Sequence, residues 1–344
     1  MQGKMNCAIV YGPRDIRMEQ REIPQITADD VLVKVLRAGI CGSDVGVYNY
    51  GGMAYGIPEG SQFGHELVGR VIEKGENVDG IEKDMIVFVD PVTAQPGGIG
   101  ASAAYGAFSE YVSVQNAKVN YNIFPLRADI NLDKAVLIEP VSVGAHGAFA
   151  FEPTAETNIV VLGAGAIGLG ATAGLIGKGI KNIVVVDRDA SRLEKAKELG
   201  VKTINTTEAN LRDELVKTFG GMEILPGNVC PFVGIYIDAA GAPSLLEECF
   251  GMGFVGTKYS LVAVYHTDLK FAGMQFLACT PTIKGSAGYN AATILEIIDN
   301  ISNDKTKIET IVTAKYKHSD FPVALEAATH ADKNMKVIID YELN

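Results

Sequence analysis

Apolar positions change their pattern partway along the chain. Up to about residue 150 they form short β-branched runs, Val31-Leu32-Val33-Lys34-Val35, Leu67-Val68-Gly69-Arg70-Val71-Ile72, Ile86-Val87-Phe88-Val89 and Tyr111-Val112-Ser113-Val114, punctuated by Asp, Gly and Pro. Runs of this length between turn residues predict strands of a small, barrel-like, β-rich domain. Residues 91–106, almost chargeless and rich in small side chains, predict a long loop. A helical link is expected over 132–151. From Thr157 the pattern alternates: strand 159–162, helix 166–178, strand 183–186, helix 191–199, then strands at 235–238, 259–264 and 281–285. That alternation predicts a doubly wound parallel sheet. An amphipathic helix over 291–302, a segment at 323–329 and a last strand at 337–340 are expected to pack back on the first domain. The domains so predicted are 1–150, completed by 290–344, and 151–289.

One stretch invites a membrane reading. Residues 159–177 run for 19 positions without a charge, long enough to suggest a spanning helix. Six of them are glycines, however, and the β-branched run Ile183-Val184-Val185-Val186 follows after one helix length. A strand–helix–strand unit is the better reading.

Composition narrows the partners. At 344 residues and 47% apolar content the chain can build two cores. A net charge of −11 argues against a nucleic-acid surface, which needs clustered Lys and Arg. The five cysteines are odd in number and scattered, which is no disulfide framework, and no secretory h-region opens the chain. A cytoplasmic setting is expected, with Cys41 kept as a thiol, a small-molecule ligand, and a homodimer or homotetramer.

The candidate chemistry lies in two places. Gly163-Ala164-Gly165-Ala166-Ile167-Gly168 follows a strand and opens a helix, with Asp187 ending the next strand. In such a loop Gly163 permits the turn, Gly165 lets the backbone approach a pyrophosphate, and Gly168 lets helix pack on strand. Asp187 can accept hydrogen bonds from ribose hydroxyls and would repel a 2′-phosphate, which favours NAD over NADP. Arg188, which could soften that rejection, and Arg192 complete the cofactor-side candidates. The second place comprises Cys41, His65, Glu66 and Glu139. A thiolate, an imidazole and a carboxylate suit Zn²⁺ and leave a tetrahedral position open. Taken singly, each has a plainer reading: a small buried hydrophobe, a turn histidine, a helix-start carboxylate.

Together, Gly39-Ile40-Cys41-Gly42-Ser43-Asp44, Gly64-His65-Glu66, Glu139-Pro140-Val141-Ser142-Val143-Gly144-Ala145-His146 and the glycine loop resemble the zinc-dependent medium-chain dehydrogenases/reductases, within them the sorbitol and threonine dehydrogenase branch. The resemblance covers essentially the whole chain, down to Lys284-Gly285-Ser286. It implies an α/β fold: a GroES-like β-rich catalytic domain plus a Rossmann doubly wound parallel sheet. It also implies one catalytic zinc, NAD, and oxidation of a secondary alcohol of the polyol or sugar class. A diol or hydroxy amino acid is the nearest alternative, and a non-catalytic dinucleotide-binding relative the remote one. Carried over, Cys41 and His65 would be the firm zinc ligands. Glu66 and Glu139 would compete for the third place or share it through a water, and Ser43 would pass the substrate proton outward. Zinc would act as Lewis acid and the cofactor would take the hydride.

Three departures from the family pattern stand out. Residues 91–106 lack the four cysteines of a structural zinc lobe, so no structural zinc is expected. Gly46 stands where polyol relatives often have His. Residues 219–233 are longer than the usual link and predict an extra surface loop, with Cys230 inert. His146 is expected in a structural role or behind the ligands. Tyr48 and Tyr50, expected in a loop, are either pocket walls or core aromatics.

Overall fold

Val31–Ile40, nine of its ten residues buried, is the central strand of the first half of the protein. A strand covered on both faces has no need of polar alternation, and its sequence is nearly continuously apolar. The computed structural model describes residues 2–95 and 105–343. Contacts divide the chain into Met1–Glu139 with Ile311–Asn344, and Pro140–Thr310. In the first unit the sheet runs Val312–Lys317, Lys336–Asp340, Val31–Ile40, Glu66–Lys74, Ile86–Val89, Ile123–Pro125, with Tyr111–Val114 also pairing to Val31–Ile40. A smaller sheet joins Asp15–Glu22, Lys4–Gly12 and Ser61–Gln62. Its hairpin was hard to see in the sequence because Asp15–Glu22 lies on the surface and reads as a run of charges. Phe63, Phe108 and Phe321 meet in the core with ring centroids 4.4 to 5.8 Å apart.

The last strand returns to the first unit as expected, pairing antiparallel with Val31–Ile40 through Val337 opposite Ile40 and Asp340 opposite Arg37. An ionic network centred on the buried pair Arg37 and Asp340 fixes this register. Arg37 meets Asp340 at 2.7 Å, Asp133 at 2.9 Å and Glu342 at 3.0 Å, and Lys315 also engages Asp133. The unit boundaries fall at 139/140 and 310/311, not at 150/151 and 289/290. The reason for the second shift is local: Ala291–Ser302 packs on Ala166–Gly177 so closely that a Cβ on Gly177 would lie 2.0 Å from Asn300 Nδ2.

The second unit carries six parallel strands in the order Lys202–Asn205, Ile183–Asp187, Ile159–Leu162, Ile235–Asp238, Lys258–Leu261, Thr282–Gly285. Chain order reverses beside Ile159–Leu162, which opens a crevice at the carboxyl ends of the strands. The charge-free stretch resolves into the strand Ile159–Leu162 and the helix Ala166–Gly177. No helix among the described residues is long and apolar enough to cross a membrane.

Two local expectations need correction. Residues 219–233 form not an irregular loop but an antiparallel hairpin, Gly221–Leu225 with Asn228–Pro231, whose Cys230 is buried and its thiol pushed up by that burial. Tyr48 and Tyr50 lie on a helix, Gly42–Tyr50, rather than in a loop. The predicted loop 91–106 falls partly, over 96–104, outside the described residues.

Candidate active site

Cys41 sits where the central strand ends and becomes the N-cap of Gly42–Tyr50. Asp44 closes that helix start by accepting a hydrogen bond from the Cys41 backbone N–H at 2.8 Å. Its other oxygen faces His65 Nδ1 at 3.8 Å. His65 follows Gly64, whose φ of +89° is open to glycine and whose Cβ would strike the Phe108 ring at 2.5 Å. Glu66 then begins the next strand, directly opposite Gly39. A side chain at position 39 would collide with it, since a Cβ there would lie 2.0 Å from Glu66 Oε2. Two glycine-framed segments thus converge, and the ligand atoms of Cys41, His65 and Glu66 lie within 4.8 Å of one another.

Glu139, in the first turn of Ile138–Phe149, is not in that group, but its charge acts on both His65 and Lys336. Burial disfavours a charged His65, yet Asp44, Cys41 and Glu139 outweigh it and hold the imidazole well above its ordinary pKa. Burial pushes the Asp44 carboxyl up to about 6, with His65 acting against it. The neighbouring acidic groups thus favour positive charge on the His65 ring, whereas Asp44 is governed by burial.

Lys336 was missed in the sequence. Its ammonium, 3% exposed, lies 2.6 Å from Glu66 Oε1 and 2.5 Å from Oε2, with Glu66 wholly buried, and donates to the Ile40 carbonyl at 3.2 Å. Nothing near position 336 marks it, because it is brought there by the pairing of the last strand. Ser43 is exposed in the first helical turn. Tyr48 packs against the core and donates to Glu326 at 2.9 Å, whereas Tyr50 is 72% exposed. His146, in the second unit, meets Thr293 Oγ1 at 3.0 Å; burial, then Lys284, lowers its pKa.

The nucleotide candidates come together in the second unit. Gly163, Gly165, Val186, Asp187, Arg188 and Arg192 help to line a cavity of about 400 Å³. Gly165 is the N-cap of Ala166–Gly177, and a Cβ there would meet nothing, so its backbone faces open space. Ala166 and Ile167 open that helix, where unpaired N–H groups favour an anion. A Cβ on Gly168 would lie 1.9 Å from the Gly163 carbonyl, which confirms why helix and loop need glycine there. Asp187 is more occupied than its sequence position implies. It accepts from Ala164 N–H at 2.7 Å, Arg188 N–H at 2.7 Å and Asp189 N–H at 3.0 Å. A carboxylate offers about four acceptor positions, so roughly one remains for a ligand.

Comparison with known proteins agrees with this geometry. The alcohol dehydrogenase GroES-like domain matches residues 27–123 and the zinc-binding dehydrogenase domain residues 166–303. The starvation-sensing protein RspB of Escherichia coli K12 is 30% identical, over 96% of this chain and 97% of that protein. The sorbitol dehydrogenase of Bacillus subtilis is 29% identical, over 76% of this chain and 75% of its own. A solved structure described as short chain alcohol dehydrogenase (rspB) from E. coli CFT073, complexed with NADH, is 28% identical with a TM-score of 0.83, covering 98% of this chain and 99% of its own.

Proposed function

Because the chain belongs to the zinc-dependent medium-chain dehydrogenases of the alcohol dehydrogenase superfamily, we propose that it transfers a hydride between NAD and a secondary alcohol of the polyol or sugar-derivative class. The observation that carries this reading is the convergence of Cys41, His65 and Glu66 within 4.8 Å. The donor set fits zinc: a soft thiolate, an imidazole and a carboxylate, with a fourth position left for substrate. Cys41 and His65 would hold the ion. Glu66, whose Oε2 is buried without a hydrogen-bond partner even with Lys336 beside it, supplies the carboxylate of that donor set, and Glu139 is the alternative third ligand. The sequence supplies no cysteine cluster for a second ion, so one zinc per chain is the proposal.

When bound, zinc supplies the Lewis acidity that lowers an alcohol's pKa, and NAD supplies the hydride acceptor. The chain's own groups do the rest. Asp44 orients His65 and fixes the helix start that carries Ser43. The Ser43 hydroxyl, exposed beside Cys41, takes the substrate proton and hands it to solvent. Gly165, Ala166 and Ile167 cradle the pyrophosphate, and the remaining acceptor position of Asp187 holds a ribose hydroxyl. Its charge disfavours NADP, with Arg188 and Arg192 the only counterweights among the residues lining the described cavity.

The sorbitol dehydrogenase relative supports the polyol class. A homodimer or homotetramer is proposed as well, on the exposed edge strand Thr282–Gly285 and the exposed Phe271, Met274 and Leu277 near it in sequence; light scattering would check it. A cytoplasmic location completes the reading. The decisive experiment is a screen of polyols, inositols, diols and sugar acids for NADH formation, with zinc counted by elemental analysis. No turnover of any of them by zinc-loaded protein would overturn the proposed function, and two tightly held ions per chain would overturn the single-zinc reading.

A further inference from the structure

Gly46 is buried on the helix that Cys41 caps, and the space its side chain would fill is taken by a tyrosine. A Cβ built on Gly46 would lie 1.9 Å from the Tyr55 hydroxyl oxygen and 2.3 Å from Cζ. The phenol therefore reaches in with its polar tip against the helix. Tyr55 is held there by its own short segment. Gly52–Tyr55 is a 3₁₀ turn closed by Gly56 at φ +74°, and the next residue, Ile57, is 6% exposed and donates its N–H to the Gly52 carbonyl at 2.9 Å. Among the described residues the Tyr55 hydroxyl has no hydrogen-bond partner, although the side chain is 44% exposed and its tip is packed.

Position 46 follows Ser43 by three residues, so the two share a helix face about 4.5 Å apart along the axis. One end of that face begins at Cys41, and the other is covered by the Tyr55 hydroxyl. The Tyr55 hydroxyl, brought over Gly46 by the 3₁₀ turn, thus lies along the helix that carries Ser43 and starts at Cys41. A phenol can both donate and accept, and held without a protein partner it is available to a ligand oxygen. We propose that Tyr55 is a specificity-determining residue of the alcohol pocket: it hydrogen-bonds a second hydroxyl of the substrate, next to the one handled by Ser43, and so selects vicinal diols and polyols over simple secondary alcohols. This rests on the dehydrogenase reading above and deepens it.

Tyr55→Phe removes the hydroxyl and little else. Gly46→Ala, a favourable change inside a helix, pushes the hydroxyl aside by a different route. The probes are 2,3-butanediol and 2-butanol, which differ by one hydroxyl, assayed with zinc-loaded protein and NAD. The expected result is a kcat/KM loss for 2,3-butanediol that exceeds the loss for 2-butanol by roughly 2- to 12-fold in Tyr55→Phe, the range of one lost hydrogen bond. Gly46→Ala should show the same discrimination, and the double variant should lose no more than either alone, because both act on one hydroxyl. Zinc content and NADH affinity should hold in all three. Equal losses on the two alcohols, with or without a shifted pH profile, would overturn the proposal, and so would additive losses in the double variant. If wild-type protein oxidises the alcohols but without discrimination lost in the variants, only the Tyr55 assignment falls. If it oxidises no alcohol at all, the dehydrogenase reading falls with it.

Discussion

Around the glycine loop, the ligand cavity is shaped by successive strand ends and turns, at 163–165, 186–192, 206 and 239–245, and the loop's own part in it is backbone. Ala164 N–H, the open backbone at Gly165 and the Gly168–Gly163 approach are main-chain features, and Asp187 serves mainly to tie that main chain together. Around Cys41 the opposite holds. Side chains from positions 41, 44, 65, 66 and 336 meet across strands that are far apart in the chain, and the backbone contributes chiefly by staying out of the way at Gly39 and Gly64. A backbone-built site tolerates changes of side chain but not of shape. A side-chain-built site tolerates neither the loss of a charge nor a slip in strand register. The two halves should therefore fail differently.

The largest effect should come from Cys41→Ala. Turnover should fall on the order of 1,000-fold or more, as the loss of several kcal/mol of Lewis-acid stabilisation requires. NADH titration followed by fluorescence should stay within about threefold of wild type, well under 1 kcal/mol. Full activity in rigorously zinc-free protein would break the distinction outright. Next is Lys336→Met, which strands the wholly buried Glu66. Urea unfolding of the metal-free chain should show a loss of about 3–5 kcal/mol, and pairing the change with Glu66→Leu should recover much of it. A loss below ~1 kcal/mol would mean that the pair behaves as a solvated surface bridge.

Gly168→Ala probes the other half. Its methyl must push against the Gly163 carbonyl, so NADH binding should weaken by up to about 3 kcal/mol, the usual range for overpacking, with zinc content unchanged. Undiminished NADH affinity would show the loop to be more pliant than its contacts imply. The smallest effect is expected at Asp187. Wild type should prefer NAD to NADP, and Asp187→Ser should erode that preference by about 1–2 kcal/mol, since only one acceptor position is left for the ribose. Comparing kcat/KM for the two cofactors decides it. A wild-type preference for NADP would mean that Arg188 or Arg192 governs the cavity instead.

Much was legible from the residues alone, and the reason differs by region. The strand at 159–162, the loop at 163–168 and the strand ending at Asp187 announce themselves because periodicity, glycine spacing and turn chemistry are local properties of one segment. The elements Ile86–Val89, Tyr111–Val114 and Ala291–Ser302 also lie where their apolar patterns predicted. Cys41, His65 and Glu66 could be picked out by their glycine contexts and by a family resemblance, but nothing in the spacing says how near one another they lie. The helix Gly42–Tyr50 was hidden because it contains two glycines, a β-branched pair and two tyrosines, and is held by the Asp44–Cys41 cap rather than by propensity. The hairpin at 221–231 was hidden because its strands are short and mixed in polarity.

What the sequence by itself determined is the class of chemistry and the two-part architecture, since both follow from residue types in local patterns. What only the tertiary structure decided is which groups act on each other. Lys336 lies beneath Glu66 because the last strand pairs with Val31–Ile40 in one register, held by the Arg37 network, and a slip of one residue would turn its side chain to the other face. The Tyr55 hydroxyl occupies the space over Gly46 because a 3₁₀ turn folds back onto the helix. Such pairings depend on long-range closure of the chain, and no local pattern of residues encodes the distance between its ends.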